Sequence, residues 1–102
     1  MNTAELNGKW LVIVNVFAAS RKAGSIWKKA AALMEAEGIS YEVKYTGGRY
    51  NATELAHKAC EAGFRRFVAV GGDGTALEVA RGLVGTECAL GLIPAGTGND
   101  FR

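Results

Sequence analysis

Short hydrophobic runs alternate along this chain with longer stretches in which apolar residues have helical spacing. The short runs are rich in branched and aromatic residues, as is typical of β-strands, and they cover residues 10–14, 41–45, 67–70 and 89–93. Between them, apolar side chains recur three and four residues apart, which predicts amphipathic helices over residues 25–38, 51–63 and 75–84. Ser25 is the predicted N-cap of the first helix. The pattern therefore predicts strands and helices in alternation.

This alternation predicts the fold class. Strands joined by helices form parallel sheets through right-handed crossovers, with helices on both faces of the sheet. We therefore expect a three-layer α/β/α domain of Rossmann-like type with a mostly parallel sheet. The length of 102 residues, with 49% hydrophobic residues and one proline, predicts one compact domain over residues 1–102.

Composition and charge exclude some classes of function. A net charge of +2, from 12 basic and 10 acidic residues without blocks, predicts no nucleic-acid partner. No stretch approaches the ~20 apolar residues that span a bilayer, so we expect a cytoplasmic protein, with peripheral membrane contact left open. Cys60 and Cys88 lie in apolar segments and are interpreted as reduced core residues. The sequence specifies no oligomeric state.

Two glycine-rich loops follow the third and fourth predicted strands, GGDGT at residues 71–75 and PAGTGND at residues 94–100. In open α/β sheets, ligands bind at the carboxyl ends of the strands, where both loops lie. Glycines allow a phosphate to approach the backbone, and a helix N-terminus directs unpaired N–H groups and roughly half a positive charge at that anion. The loops therefore predict a phosphate-binding site to which both contribute.

Polar side chains within these loops suggest chemistry, although each also has a structural interpretation. Asp73 would repel a phosphate unless a divalent cation lay between them or the carboxylate accepted a proton, which favours Mg²⁺-linked phosphoryl transfer. Alternatively, Asp73 caps the following helix. Thr75 and Thr97 are able to donate to phosphate oxygens or to stabilise turns. Asn99 would contact the nucleotide or a metal ion, or it would instead form an Asx turn.

Together, GGDGT at residues 71–75 and the pattern P-x-G-T-x-N-D-F at residues 94–101 resemble the catalytic domain of diacylglycerol kinases, sphingosine kinases and related bacterial lipid kinases. The resemblance covers nearly the whole chain. NAD kinases and phosphofructokinases carry turns similar to the first motif, but the second motif points to the lipid kinases. The resemblance implies a kinase that uses ATP and Mg²⁺ to phosphorylate a lipid hydroxyl, that of diacylglycerol or a similar lipid.

The resemblance also implies roles for individual residues. Asp73 would lie in the phosphate–Mg²⁺ region or activate the substrate hydroxyl, and Asn15 and Thr46 match further nucleotide-contacting positions. The predicted contacts to the ATP phosphates are made by Gly71, Gly72, Gly74 and Thr75. The residues predicted to border the nucleotide and an interdomain cleft are Gly96, Thr97, Gly98 and, next to them, Asn99.

The chain departs from the family pattern in sequence and in length. The family commonly has Asn-Pro where this chain has Asn15-Val16, and Asn where it has Leu77, and both positions bear on the adenine side of the site. The family also has a second, β-rich domain, which these 102 residues do not include, so we expect a nucleotide half-site that is inactive alone. The rival interpretations are an NAD kinase-like enzyme and a nucleotide-binding or interaction module without chemistry.

Overall fold

A computed structural model of the chain describes residues 8–18, 22–46 and 51–95. Within these ranges, strands and helices alternate in the predicted order. Their bounds are β1 Trp10–Asn15, α1 Ala23–Ala36, β2 Tyr41–Thr46, α2 Asn51–Ala62, β3 Arg66–Gly71, α3 Asp73–Gly82 and β4 Ala89–Pro94.

The described strands form a parallel sheet in the order β2-β1-β3-β4. At the centre of the sheet, β1 pairs with β2 on one side and with β3 on the other, so that Trp10 lies beside Tyr41 and Arg66. Parallel strands require crossover connections, and the helices between consecutive strands supply them. The predicted α/β class with a parallel sheet is confirmed.

Helices cover both faces of the sheet, as the side chains of β1 show. Leu11 and Ile13 pack in one cluster with residues of α2 and α3, while Val12 and Val14 pack in another cluster with residues of α1. All four side chains are at most 1% exposed. A strand buried on both faces needs a continuous apolar run rather than an alternating one, which is the pattern of residues 11–14. The predicted three-layer arrangement is therefore confirmed.

The starts of two helices differ from the sequence prediction. Helix α1 begins at Ala23 with Lys22 in the N-cap position, so the prediction that Ser25 is the N-cap was wrong. Ala23 is fully buried against the α1 face of the sheet, and this tertiary packing extends the helix beyond its local start signal. Helix α3 begins at Asp73, two residues earlier than predicted, and ends at Gly82 rather than at Val84.

Helices α2 and α3 approach each other closely at Gly82. A Cβ atom at this position would collide with the carbonyl oxygen of Thr53 and would lie 2.9 Å from the Cβ of Ala56. Nearby, the Thr53 hydroxyl donates to the carbonyl oxygen of Glu78 at 2.7 Å. The spacing of the two helices thus depends on the missing side chain at Gly82.

Trp27 of α1 belongs to the core. Its side chain is 3% exposed and packs edge-on against Tyr41, with ring centroids 5.2 Å apart. The ring helps to attach α1 to the edge strand β2.

Candidate phosphate-binding site

The topology of the sheet creates a crevice between the carboxyl ends of β1 and β3. The chain leaves β1 towards β2 over the α1 face, and it leaves β3 towards β4 over the opposite face, so the connections diverge between these neighbouring strands. In open α/β sheets, a point where connections diverge in this way is the usual place for ligands. Asn15 ends β1 and Gly71 ends β3, so both predicted site residues lie at this crevice.

The glycine turn after β3 contains one glycine that the fold itself requires. A Cβ atom at Gly71 would lie 2.5 Å from the Oγ1 of Thr75 and 2.9 Å from its Cβ. Gly71 is buried, and its carbonyl oxygen accepts a hydrogen bond from the N–H of Ala95. Gly71 therefore lets the first turn of α3 pack directly onto the end of the sheet.

No contact with a described residue requires glycine at the other two positions of the turn. A Cβ atom at Gly72 or Gly74 would meet nothing within 4 Å among the described residues. Gly72 has φ −99°, and neither glycine is among those described with positive φ, so backbone strain does not demand glycine at these positions. Side chains would instead fill open space at the N-terminus of α3.

Backbone N–H groups that have no hydrogen-bond acceptor among the described residues lie at this N-terminus. The first intrahelical hydrogen bond of α3 runs from the N–H of Ala76 to the carbonyl oxygen of Gly72. The N–H groups of residues 73–75 precede this bond and have no partner within the helix. Together with the dipole of a 10-residue helix, they form a suitable site for a phosphate.

Asn15 connects the end of β1 to this helix. Its Nδ2 donates to the Oγ1 of Thr75 at 3.1 Å, and its Oδ1 accepts from the N–H of Phe17 at 3.0 Å. Thr75 is only 5% exposed, so its hydroxyl lies beneath the glycine turn and holds Asn15. The structure thus brings the predicted residues Asn15, Gly71 and Thr75 together across the crevice.

Thr46 lies at the end of β2, on the other side of β1. The side chain is 5% exposed, and its hydroxyl donates to the Oδ1 of Asn51 at 2.6 Å. The carbonyl oxygen of Thr46 accepts from the N–H of Val16 at 2.9 Å. Thr46 therefore joins the end of β2 to the start of α2 and to the turn after β1. The contribution of Asn51 was not predicted, although an Asn at a helix start is a recognisable capping signal.

Asp73 is exposed at the first position of α3. Gly72 occupies the N-cap position, and the Asp73 carboxylate makes no hydrogen bond or ion pair with any described residue. The alternative that Asp73 caps the helix therefore finds no support in the described residues. Its negative charge lies beside the free N–H groups, where a helix dipole stabilises an anion.

The second glycine loop leaves the sheet beside the first. Pro94 pairs with Gly71, and the N–H of Ala95 donates to the Gly71 carbonyl oxygen at 3.0 Å. Ala95 is 3% exposed and packs in the α1-side cluster. The remaining predicted residues of this loop lie outside the described residues: Gly96, Thr97, Gly98 and Asn99.

No group of three or more potential metal-ligating side chains occurs within residues 8–18, 22–46 and 51–95. Mg²⁺ keeps several waters and is commonly held by one or two carboxylates together with substrate phosphates. A single carboxylate at Asp73, next to a phosphate site, is compatible with this mode of binding.

The chain is thus a parallel α/β domain with a glycine turn at a helix N-terminus, placed where the connections diverge, and proteins with this arrangement commonly bind phosphate groups there. The sequence model of the diacylglycerol kinase catalytic domain matches residues 9–102. The chain therefore belongs to the diacylglycerol kinase catalytic domain family, as the two loops predicted.

Curated relatives agree with this family. A protein named "Probable lipid kinase YegS-like" from Klebsiella pneumoniae (strain 342) is 40% identical over 76 residues, covering 72% of this chain and 26% of the relative. "Probable lipid kinase YegS" from Salmonella newport (strain SL254) is 38% identical over 78 residues, covering 72% and 26%. The chain thus spans about a quarter of the length of these relatives.

Solved structures show the same fold. A crystal structure of a diacylglycerol kinase from Bacillus anthracis str. Sterne has a TM-score of 0.69 and 28% identity. The match covers 92% of this chain and 35% of that chain. In the part of the chain that the structure describes, no helix is both long and apolar enough to cross a membrane.

Proposed function

We propose that this chain forms the ATP phosphate-binding half of a lipid kinase, which transfers the γ-phosphoryl group of ATP to a lipid hydroxyl. The observation that carries the proposal is the open space at Gly72 and Gly74, beside the free N–H groups at the start of α3. Gly72 at the N-cap is compatible with the fold alone, but glycine inside the first turn, as at Gly74, is unfavourable. Its presence where a side chain would meet no atom of residues 8–18, 22–46 and 51–95 is explained by a ligand that approaches the backbone.

The backbone of the turn binds the phosphates in this proposal. N–H groups of residues 73–75 donate to phosphate oxygens, and the helix dipole stabilises their negative charge. Thr75 contributes from below, because its hydroxyl accepts from Asn15 and its methyl group packs against Gly71. Asn15 and Thr46 hold the ends of β1 and β2 in position around the nucleotide.

Asp73 is the residue that we assign to the chemistry. When bound, Mg²⁺ would supply positive charge that offsets the charge developing during transfer. The exposed Asp73 carboxylate either holds this ion or accepts the proton of the attacking lipid hydroxyl. Mg²⁺ titrations of the wild-type protein and of Asp73→Asn distinguish the two roles. Loss of a metal ligand raises the Mg²⁺ concentration that the reaction needs, whereas loss of a proton acceptor changes only the rate.

The family and the names of the relatives support a lipid acceptor, and diacylglycerol or a similar glycerolipid is the acceptor that we propose. Such a lipid resides in a bilayer, so the complete protein would be cytoplasmic and would contact the membrane surface peripherally. Transfer requires charge stabilisation from several directions. We therefore expect a second, β-rich domain to close the cleft, and this chain alone to bind nucleotide weakly and to transfer little phosphate.

Gly72→Val tests the nucleotide half-site. The new side chain would occupy the space at the helix N-terminus, and we expect it to weaken Mg²⁺-ATP binding at least about tenfold, since a phosphate loses its approach to the backbone. Isothermal titration calorimetry of the wild-type and variant chains measures this effect.

The matched control is Gly91→Val on β4, where a Cβ atom also meets nothing within 4 Å and where the position lies in mid-strand, away from the crevice. We expect Gly91→Val to bind Mg²⁺-ATP like the wild type. Equal affinity in Gly72→Val and the wild type would contradict the proposed site. If Gly72→Val abolishes binding but the complete protein phosphorylates no lipid, the chain is a nucleotide-binding module without this chemistry.

Gly74→Ala separates stability from binding at the same helix terminus. Alanine lowers the conformational entropy of the unfolded chain, and its methyl group meets no atom of a described residue in the folded chain, so we expect unfolding to cost about 0.5–1 kcal/mol more. Nucleotide affinity should fall, because the methyl group projects into the proposed phosphate site. Chemical denaturation and calorimetric titration measure the two quantities. A variant that is stabilised and binds Mg²⁺-ATP as well as the wild type would argue against this position of the phosphates.

A further inference from the structure

Cys60 and Cys88 meet at the end of the sheet opposite the glycine turn. Cys60 lies in the last turn of α2 and Cys88 directly precedes β4, and their Sγ atoms are 3.1 Å apart. Both are free thiols, and both are half-buried rather than fully enclosed in the core. The sequence interpretation treated them as separate residues, whereas the fold makes them a pair.

The surroundings hold the two sulfur atoms in place. Burial, together with the hydrogen bond between the two sulfur atoms, raises the pKa of the Cys60 thiol. The Cys88 thiol donates to the carbonyl oxygen of Phe64 at 3.6 Å. Arg65 donates to the carbonyl oxygens of Cys60 and Phe64 at 3.0 and 2.8 Å, which fixes the backbone around the pair.

We propose that Cys60 and Cys88 form a dithiol site that small-molecule disulfides oxidise to an intramolecular disulfide. The Cys88 thiolate attacks one sulfur of the small disulfide, forms a mixed disulfide and releases the first thiolate, which takes up a proton. Cys60 then loses its proton to solvent, its sulfur attacks the Cys88 sulfur, and the second small thiolate leaves and takes up a proton. Two protein thiols are oxidised, and one small disulfide is reduced to two thiols.

The geometry favours closure within one chain. A disulfide bond is about 2 Å long, so the two sulfur atoms need to approach by only about 1 Å. A mixed disulfide on Cys88 would have the Cys60 sulfur as its nearest neighbour, so it should be resolved quickly. The bond would join positions 28 residues apart and would restrict the unfolded chain.

Incubation with oxidised glutathione, followed by alkylation and peptide mapping, tests this proposal. We expect the peptides that contain Cys60 and Cys88 to be linked to each other, with both positions protected from alkylation together. The oxidised protein should melt at least about 5 °C higher than the reduced one, because the link constrains the unfolded state.

Cys60→Ser is the decisive variant, since it removes the resolving thiol and leaves Cys88 in place. It should accumulate a glutathione adduct on Cys88 to a level roughly tenfold above the wild type, because nothing displaces the adduct. Equal adduct levels in both proteins, or links that join two chains instead of one, would overturn the proposal. Cys88→Ser checks the order of attack: slower adduct formation on Cys60 than on Cys88 agrees with Cys88 as the first nucleophile, and faster formation contradicts it.

Discussion

Asp73→Asn is expected to reduce lipid phosphorylation by the complete protein at least about 100-fold while the fold remains intact. Loss of a proton acceptor or of a charge-stabilising group in phosphoryl transfer typically lowers the rate by two to four orders of magnitude. The side chain is exposed and makes no hydrogen bond or ion pair with a described residue, so its replacement breaks no observed contact. Rates of ³²P transfer from ATP to diacylglycerol, together with thermal melting curves, provide the measurement.

Glu54→Gln is the matched control for this variant. Glu54 is an exposed carboxylate in the first turn of α2, as Asp73 is in the first turn of α3, so both changes remove a charge that a helix dipole stabilises. We expect Glu54→Gln to change stability by a few tenths of a kcal/mol and to leave the rate unaffected. If Asp73→Asn also retains its rate, the assignment of Asp73 to the chemistry fails, whatever the acceptor.

Gly82→Ala is expected to have the largest effect on stability. The added methyl group would collide with the Thr53 carbonyl oxygen and crowd Ala56, so helices α2 and α3 must separate. Overpacking of this kind typically costs about 1–3 kcal/mol, which corresponds to a melting temperature lower by several degrees or more in a domain of this size. Denaturant unfolding followed by circular dichroism measures the loss.

The same substitution in α1 provides the control. A Cβ atom at Gly24 meets nothing within 4 Å among the described residues, so Gly24→Ala should follow helix propensity alone and stabilise the protein by up to about 1 kcal/mol. The two variants are therefore expected to shift stability in opposite directions. A Gly82→Ala protein that is as stable as Gly24→Ala would show that α2 and α3 do not pack as closely as described.

Local pattern was sufficient for the fold class because its signals do not depend on distant residues. The continuous apolar run of β1 reflects a strand buried on both faces, and it is visible within a few positions of the chain. Helix boundaries were less accurate, because tertiary packing decides them. Because Ala23 is buried against the sheet, α1 begins at Ala23 and Ser25 is not its N-cap, although serine is the better local cap.

The candidate site also has one part that the sequence predicts and another part that only the folded structure shows. The glycines and the aspartate at residues 71–74 predict a phosphate loop from the sequence, because such a turn allows a phosphate to approach the backbone at a helix N-terminus. The bond from Asn15 to Thr75 joins residues 60 positions apart and exists only because β1 and β3 are neighbours in the sheet. The folded structure also shows that Thr75 is buried beneath the glycine turn, a position that the GGDGT motif alone does not indicate.

Two further features follow from the packing of distant segments. Gly82 lies inside the helix that the sequence predicts over residues 75–84, yet its missing side chain sets the distance between α2 and α3. Cys60 and Cys88 read as two ordinary apolar positions, yet the fold brings their sulfur atoms together. The elements, their order and the position of the glycine turn could thus be predicted from the sequence, because periodicity and turn composition are local properties. Contacts between residues far apart in sequence required the folded structure, because no local pattern encodes which helices and strands become neighbours.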